Sequence, residues 1–266
     1  MAKLNPADFG ITGPIGNLSF YTRYDMPGKT LIRKKGGASK EKIQTLPSFA
    51  RTRELYTELS GRATASKWIM QAMWPQKALA NYNIAGSVNN LMKPIQALDT
   101  EGRHGQRHIM LSKNPKVLEG FSLNRKNGFD SLVRSFIPCS LSRETCSAEV
   151  NIPALQQGIN LFPPPGQFMY SIMAVLGIVP DIYYSETGYK PSSPEYQHYY
   201  RTAVTEWFPV AKGSPAQTLP VEMGVMPPNS DCSLILSIGI RFGIMTDPYT
   251  VEQVRRQGAA KVLAMG

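Results

Sequence analysis

The longest regular alternation in the chain runs through Leu234, Leu236, Ile238, Ile240 and Phe242, with Ser233, Ser237, Gly239, Arg241 and Gly243 between the apolar positions. Successive side chains of a strand point to opposite faces, so this spacing predicts a strand over 232–244 with one apolar face and one small or polar face. Phe168, Tyr170, Ile172, Ala174 and Leu176 repeat the period and predict a partner strand. Shorter β-type runs at 148–152, 178–184, 203–208 and 218–221 are separated by turn signals: Pro163-Pro164-Pro165-Gly166, the prolines 191 and 194, residues 212–215, and Pro227-Pro228-Asn229. The runs 121–124 and 129–133 flank Asn127-Gly128, a strong hairpin signal. Many short strands with turn residues between them predict a sandwich or barrel.

Earlier in the chain the period changes. Phe49, Thr52, Tyr56, Leu59, Ala63, Ser66, Met70 and Met73 recur at steps of three and four, which predicts a helix over 47–74 with that face buried, capped by Thr45 or Ser48 and ended by Trp74-Pro75. Ile84, Val88, Leu91, Ile95 and Leu98 predict a second helix, and the small residues Ser60, Gly61 and 63–66 predict a close crossing of the two. At the start, Leu18, Phe20, Leu31 and Ile32 fall in two short strands, 17–21 and 29–34, joined by Met26-Pro27-Gly28-Lys29, a type II turn signature. Leu31 and Ile32 are adjacent, so apolar groups leave both faces of this hairpin. Gly10, Gly13 and Gly16 read as loop glycines. At the other end, Thr250-Val251-Glu252-Gln253 reads as a capping box opening a short helix to about Arg256, and 259–266 as an extended tail.

The expected fold class is therefore α+β: a basic N-terminal β-hairpin arm (1–45), a helical hairpin (46–104) and a C-terminal antiparallel β-sandwich, Ig-like or jelly-roll-like, with a short C-terminal helix or tail (105–266). A lone two-stranded hairpin is marginal in water. Its apolar residues must dock on the rest of the chain, on another copy, or on a polyanion.

Charge changes this picture by concentrating attention on the first part of the chain. Residues 1–120 hold 18 Lys+Arg against 8 Asp+Glu, whereas 121–266 hold 11 of each, so the whole net charge of +10 belongs to the first half. Basic and aromatic residues interleave in Phe20, Tyr21, Arg23, Tyr24, Lys29, Ile32, Arg33, Lys34, Lys35, Lys40, Lys42, Arg51 and Arg53, the candidate assembly or polyanion contacts. Aromatics in a cationic groove hold single strands; the plain alternative is a solvated face that keeps the protein soluble or meets an acidic neighbour. Neither zinc-finger spacing nor the aromatic pattern of an RNA-recognition module is present.

Catalytic and ligand-binding patterns are weak. Gly28-Lys29-Thr30 resembles the end of a phosphate loop, but Arg23 stands where that loop needs Gly. His104 and His108 have a helical metal-ligand spacing, yet Gly102 and Gly105 argue against a helix and no further ligand lies nearby. The third histidine, His198, lies in a tyrosine-rich loop, and no GxSxG elbow or Cys/His spacing supplies a nucleophile. Paired carboxylates from distant strands stay open. Cys139, Cys146 and Cys232, an odd number in a long chain, read as reduced thiols. No run reaches the length of a membrane span, and the first residues lack a signal-peptide pattern. The expectation is a cytoplasmically made chain with no cofactor and no metal, open to release as an assembled particle.

Several segments together resemble a group of hypothetical bacterial proteins of the kind found in Bacteroidetes genomes. They are GPIGNLSFY (13–21), a G-K-T strand (28–33), a Gly36-Gly37 break, P-x-F-x-R-T-R-E (47–54), G-x-R-x-I (105–109), LEGFxLN (118–124), V-x-I-P (150–153) and P-P-G (164–166). The resemblance covers about residues 10–180 of the chain. It implies the order of elements and transfers no active site. The function expected is a non-enzymatic structural subunit that assembles with copies of itself into a filament, tube or shell through the hairpin and sandwich edges. The alternative is a nucleic-acid-binding or packaging protein using the basic first half; a sugar-binding or enzymatic sandwich with a site on its loops ranks third.

Overall fold

The computed structural model describes residues 3–5, 10–23, 26–225, 230–247 and 249–266. Tyr24 and the turn Pro227-Pro228-Asn229 lie outside the described residues. The protein is a mixed α+β chain of antiparallel sheets that divides into two units, Met1–Arg53 and Glu54–Gly266.

In the first unit four strands, β1 (Lys3–Asn5), β2 (Gly10–Ile15), β3 (Leu18–Arg23) and β4 (Met26–Lys34), form an antiparallel meander in chain order. The expected hairpin is its last pair, and two expectations around it are corrected. Gly10 and Gly13 lie in strand β2, not in a loop, whereas Gly16 is a loop glycine as expected. Gly16-Asn17 is a two-residue hairpin loop between the paired Ile15 and Leu18, and Gly16 takes φ 52°, the positive value that a primed hairpin turn needs in its first central position. Met26-Pro27-Gly28-Lys29 is not the connecting turn but part of β4. The register steps from Thr22↔Thr30 to Arg23↔Met26, so Pro27, Gly28 and Lys29 form a bulge, with Gly28 at φ 76°. A short helix α1 (Lys40–Thr45) follows, capped by Ser39, whose Oγ accepts the Lys42 N–H at 3.3 Å. The caps expected at Thr45 or Ser48 are not used: Thr45 Oγ1 donates within α1 to the Glu41 carbonyl at 2.9 Å, and a 3-10 turn, Pro47–Phe49, precedes the next helix. None of residues 11–23, 26 and 28–53 is buried.

The second unit contains α2 (Ala50–Ala72) from Glu54 onward, then α3 (Ala85–Ala97) and the single turn α4 (Phe129–Leu132). Its strands are β5 (Cys139–Ser142), β6 (Ser147–Ile152), β7 (Met169–Pro180), β8 (Ile182–Ser185), β9 (Gly188–Pro191), β10 (Tyr200–Val204), β11 (Phe208–Pro209), β12 (Gln217–Glu222), β13 (Cys232–Asp247), β14 (Thr250–Gln253) and β15 (Ala259–Met265). β7 and β13 pair from Cys232↔Pro180 to Gly243↔Met169 at the centre of a six-stranded sheet ordered β10-β7-β13-β14, with β11 also on β7 and β15 also on β13. β12-β6-β5 form a three-stranded sheet and β8-β9 a two-stranded one.

The alternation of β13 decides which side each residue buries. Leu234, Leu236, Ile238, Ile240 and Phe242 enter one core with Tyr170, Ile172, Ala174 and Leu176 of β7, Val150 and Ile152 of β6, and Leu219 and Val221 of β12. Each such aliphatic side chain stabilises the fold by about 1.5–3 kcal/mol. The opposite side of the central sheet, through Ile235 and Val179, shares a second core with Trp68, Ile69 and Ala72 of α2 and Val88, Met92 and Ile95 of α3. Small residues there let the helical layer come close: a Cβ on Gly239 would lie 2.7 Å from Leu79 Cδ1. Phe168, expected to point inward with its strand, precedes β7 and is largely exposed.

Other local expectations fail where tertiary pairing or burial overrides them. Of the expected face Ser66 and Met73 are buried, but Tyr56 and Leu59 are exposed, and Glu58, Gly61, Ala65, Trp68, Ile69 and Ala72 are buried beside them. Leu98, expected on the buried face of the second helix, is exposed just past α3. Gly128 is the N-cap residue of α4 rather than a hairpin turn, and Ser122 makes only an isolated bridge to Lys261. The capping-box segment is strand β14 on Met245–Asp247 and neighbouring residues, and the tail is strand β15, whose Ala259, Ala260, Val262 and Met265 are buried against β13. No described helix is long and apolar enough to cross a membrane.

Candidate functional site

The sequence-selected residues separate by strand register onto two faces of the first unit's sheet. Ile15 pairs with Leu18 and Leu18 with Lys34; Gly13 pairs with Phe20 and Phe20 with Ile32. Residues directly opposite share a face. One face is thus Ile11, Ile15, Leu18, Phe20 and Ile32, with Lys34 at its margin. Ile32 is 60% exposed, Ile15 48% and Leu18 42%, and Phe20 is half-buried, so no second layer within the unit itself covers this apolar face. The other face carries Ser19, Tyr21, Leu31 and Arg33. Lys35 extends it, because its N–H continues the ladder to the Asn17 carbonyl at 2.6 Å. The Arg33 guanidinium stands 5.5 Å from the centre of the Tyr21 ring, a cation–π pair.

The remaining basic residues are scattered. Arg23 pairs in register with Met26, and Lys29 sits in the bulge. Lys40 and Lys42 lie on α1 and Arg51 near the start of α2, all three exposed. Arg53 is structural: its Nη1 donates to the carbonyls of Ile43 (2.8 Å) and Leu46 (2.9 Å), holding the end of α1. The isoleucines of β2 were not singled out in the sequence. The signal available was Gly16-Asn17 between two apolar residues, one of the dipeptides that mark a two-residue hairpin loop.

One cluster of titratable groups in the second unit gathers around Glu58. Its carboxylate is almost fully buried and accepts from Arg107 Nε at 2.7 Å, Arg107 Nη2 at 2.9 Å and the Gly105 N–H at 3.1 Å. Burial alone would raise the Glu58 carboxyl; the Arg107 guanidinium and the Gly105 N–H outweigh it and hold the carboxyl below its ordinary 4.5. Asp99 is likewise lowered, burial being outweighed by N–H donors from His108 (2.6 Å), Gly102 (3.1 Å) and Glu101 (3.0 Å). Burial, with the Glu58 charge nearby, pushes the Tyr189 phenol up to about 12. That hydroxyl donates to the Arg107 carbonyl at 2.9 Å, and its ring lies against Gly61, where a Cβ would come within 2.7 Å.

The two histidines do different work in this cluster. His104 Nδ1 lies 3.4 Å from Glu54 and 3.8 Å from Glu58, while His108 Nδ1 accepts the Tyr184 N–H at 3.0 Å. With both oxygens of Glu58 taken by Arg107, the arrangement stitches the 99–109 loop to α2 and to β8 and β9. Among the described residues no group of three His, Cys, Asp or Glu forms a cluster suited to a metal ion. The three cysteines are free thiols. A surface groove of about 410 Å³ between Phe136, Pro138, Asn151, Pro153 and Thr218 offers apolar and amide surface and no titratable side chain.

These shifts set a pH window. A lowered carboxyl contributes stability above its unfolded value and loses it as pH falls through the folded one. The melting temperature is therefore expected to fall as the pH drops below about 4.5, more in the wild type than in Glu58→Gln. Equal acid sensitivity of the two, measured by thermal unfolding across pH 3–7, would show that Glu58 does not carry the effect.

Comparison of the chain with family models, with curated proteins and with solved structures finds no match.

Proposed function

We propose that the protein is a non-enzymatic structural subunit that assembles with copies of itself, joined through the sheet of its first unit. The second unit, its two larger sheets arranged as a β-sandwich around their shared core, serves as the scaffold. One observation carries this reading: the sheet has an apolar face of Ile11, Ile15, Leu18, Phe20 and Ile32, none of them buried. A sheet with one apolar face must bury it on a second layer. The occupant assigned is the same face of a second copy, because two copies of one apolar face are self-complementary about a two-fold axis and pack about 10 Å apart.

Face packing is favoured over addition of strands at the edge. Of the two end strands, β1 is described over Lys3–Asn5, and β4 carries Pro27, a bulge, Lys29, Arg33 and Lys34. Bulges, proline and lysine are devices that oppose edge pairing. Growth into a filament, tube or shell needs a second interface, which we place at the open sheet edges of the second unit, such as β5. The buried carboxylates there support a scaffold role, since Glu58 is held by Arg107 and Asp181 by the N–H and hydroxyl of Ser112.

The test is the mass of the particle in solution. The full chain is expected to scatter light as a multiple of 29.4 kDa, and Ile15→Ser with Ile32→Ser to lower that mass to a dimeric or single-chain value. Removing residues 1–37 has the same expected result, because both core clusters lie wholly beyond residue 53. A single-chain mass for the wild type, or oligomers unchanged in the variants, sinks the reading.

A further inference from the structure

We infer that the second face of the same sheet, built on Tyr21, Arg33 and Lys35, binds single-stranded nucleic acid. This goes beyond assembly and uses the side of the sheet that the aliphatic contact leaves outward. Three observations converge on it. Tyr21 is exposed with the Arg33 guanidinium beside its ring at 5.5 Å, so a planar aromatic and a planar cation stand together on an open surface. Every base has a π-face that stacks on such a pair regardless of sequence. Arg33 and Lys35 then follow each other on that face about 6.6–6.8 Å apart along the strand, a step suited to successive phosphates of an extended single strand.

The third observation is the sign of the field. Residues 1–53 hold 10 Lys+Arg and 3 Asp+Glu, so a large share of the chain's net +10 surrounds this small sheet. Such a field draws polyanions and concentrates them at the surface. An acidic protein surface would satisfy the charge but has no use for the Tyr21 ring. A duplex keeps its bases stacked inside, where the ring cannot reach them. The single strand is the polyanion that uses both the cations and the ring.

The experiment is fluorescence anisotropy of a labelled 30-nucleotide oligothymidylate with the full-length protein, titrated in salt, with the matching duplex and heparin as competitors. The single strand is expected to bind more tightly than the duplex, with an affinity that falls linearly in log salt. Arg33→Gln with Lys35→Gln should lower that slope by about 1.4, roughly 0.7 for each cation on a single strand. Tyr21→Ala should weaken binding about ten-fold at unchanged slope. Tyr21, Arg33 and Lys35 are exposed, so circular dichroism of the variants is expected to match the wild type. No binding at 50 mM salt overturns the inference, as does preference for the duplex or an unchanged affinity in Tyr21→Ala. The neutral Ile15→Ser, Ile32→Ser variant separates the two readings, because it is expected to lose assembly while each chain still binds the oligonucleotide.

Discussion

Replacing Arg107 by alanine is expected to destabilise the protein by about 3–5 kcal/mol, the cost of stranding a buried charge. Glu58 would keep only the Gly105 N–H of its three donors, on a helix side that also buries Gly61, Ala65, Trp68 and Ile69. For a unit of this length that loss lowers the melting temperature by roughly 6–20 °C. Two controls make the cause visible. The loss should shrink as the pH is lowered toward the carboxylate range, because without Arg107 burial raises the Glu58 carboxyl and protonating it removes the stranded charge. Glu58→Leu combined with Arg107→Met should recover most of it, since buried ion pairs are often matched by apolar residues of similar volume. Arg107→Lys should fall between, as an ammonium cannot reproduce the two-pronged guanidinium bond. An unchanged melting temperature in Arg107→Ala would mean the carboxylate is not held by this pair.

Gly177→Val is expected to cost about 3 kcal/mol or more, at the upper end of what overpacking a core costs. Gly177 is in β7, paired with Ile235 of β13 and Tyr200 of β10, so the strand on which it sits cannot back away. A Cβ there would fall against the Ala72 carbonyl oxygen and lie 2.7 Å from Ala72 Cβ and 2.8 Å from Ala72 Cα. The obstacle is helix backbone, not a side chain that can swing aside. Gly177→Ala should cost less, and adding Ala72→Gly should restore only part of the loss, because it clears the methyl and leaves the carbonyl. Thermal unfolding of these variants decides the matter; a Gly177→Val protein as stable as wild type would show that α2 is not packed on β7 as described.

Both cases turn on α2, the element whose environment the sequence concealed. Phe49, Thr52, Tyr56, Leu59 and Ala63 have a helical period, yet Tyr56 and Leu59 face solvent. Burial of Glu58 in their place depends on Arg107, nearly fifty residues later, and on the loop that brings Gly105 beneath it. No local pattern encodes a partner at that distance. The segment at Thr250 failed for a related reason: a capping box offers local hydrogen bonds to a helix start, but the exposed edge of β13 offered a full ladder, and β14 took it. The candidate contacts of the first unit were readable as residue types and not as a surface. Tyr21, Arg33, Phe20 and Ile32 all stand out in the sequence, while their division into a basic face and an apolar face depends on the register of β3 on β4 and on strand β2.

What the linear chain settled was whatever has a short period or a simple sum. The alternation along 232–244 fixed β13 and the core to which Leu234, Leu236, Ile238, Ile240 and Phe242 belong, because a strand's period of two is a property of the backbone alone. The count of charges placed the whole positive excess in the first half, because charge adds without regard to fold. Tertiary structure decided the rest: that the hairpin widens to four strands with an apolar face that no second layer within the unit covers, that a carboxylate rather than Tyr56 lies under α2, and that both predicted C-terminal elements are strands. Each of these choices is a competition between a local preference worth about 1 kcal/mol and a set of distant partners that only the folded chain brings together.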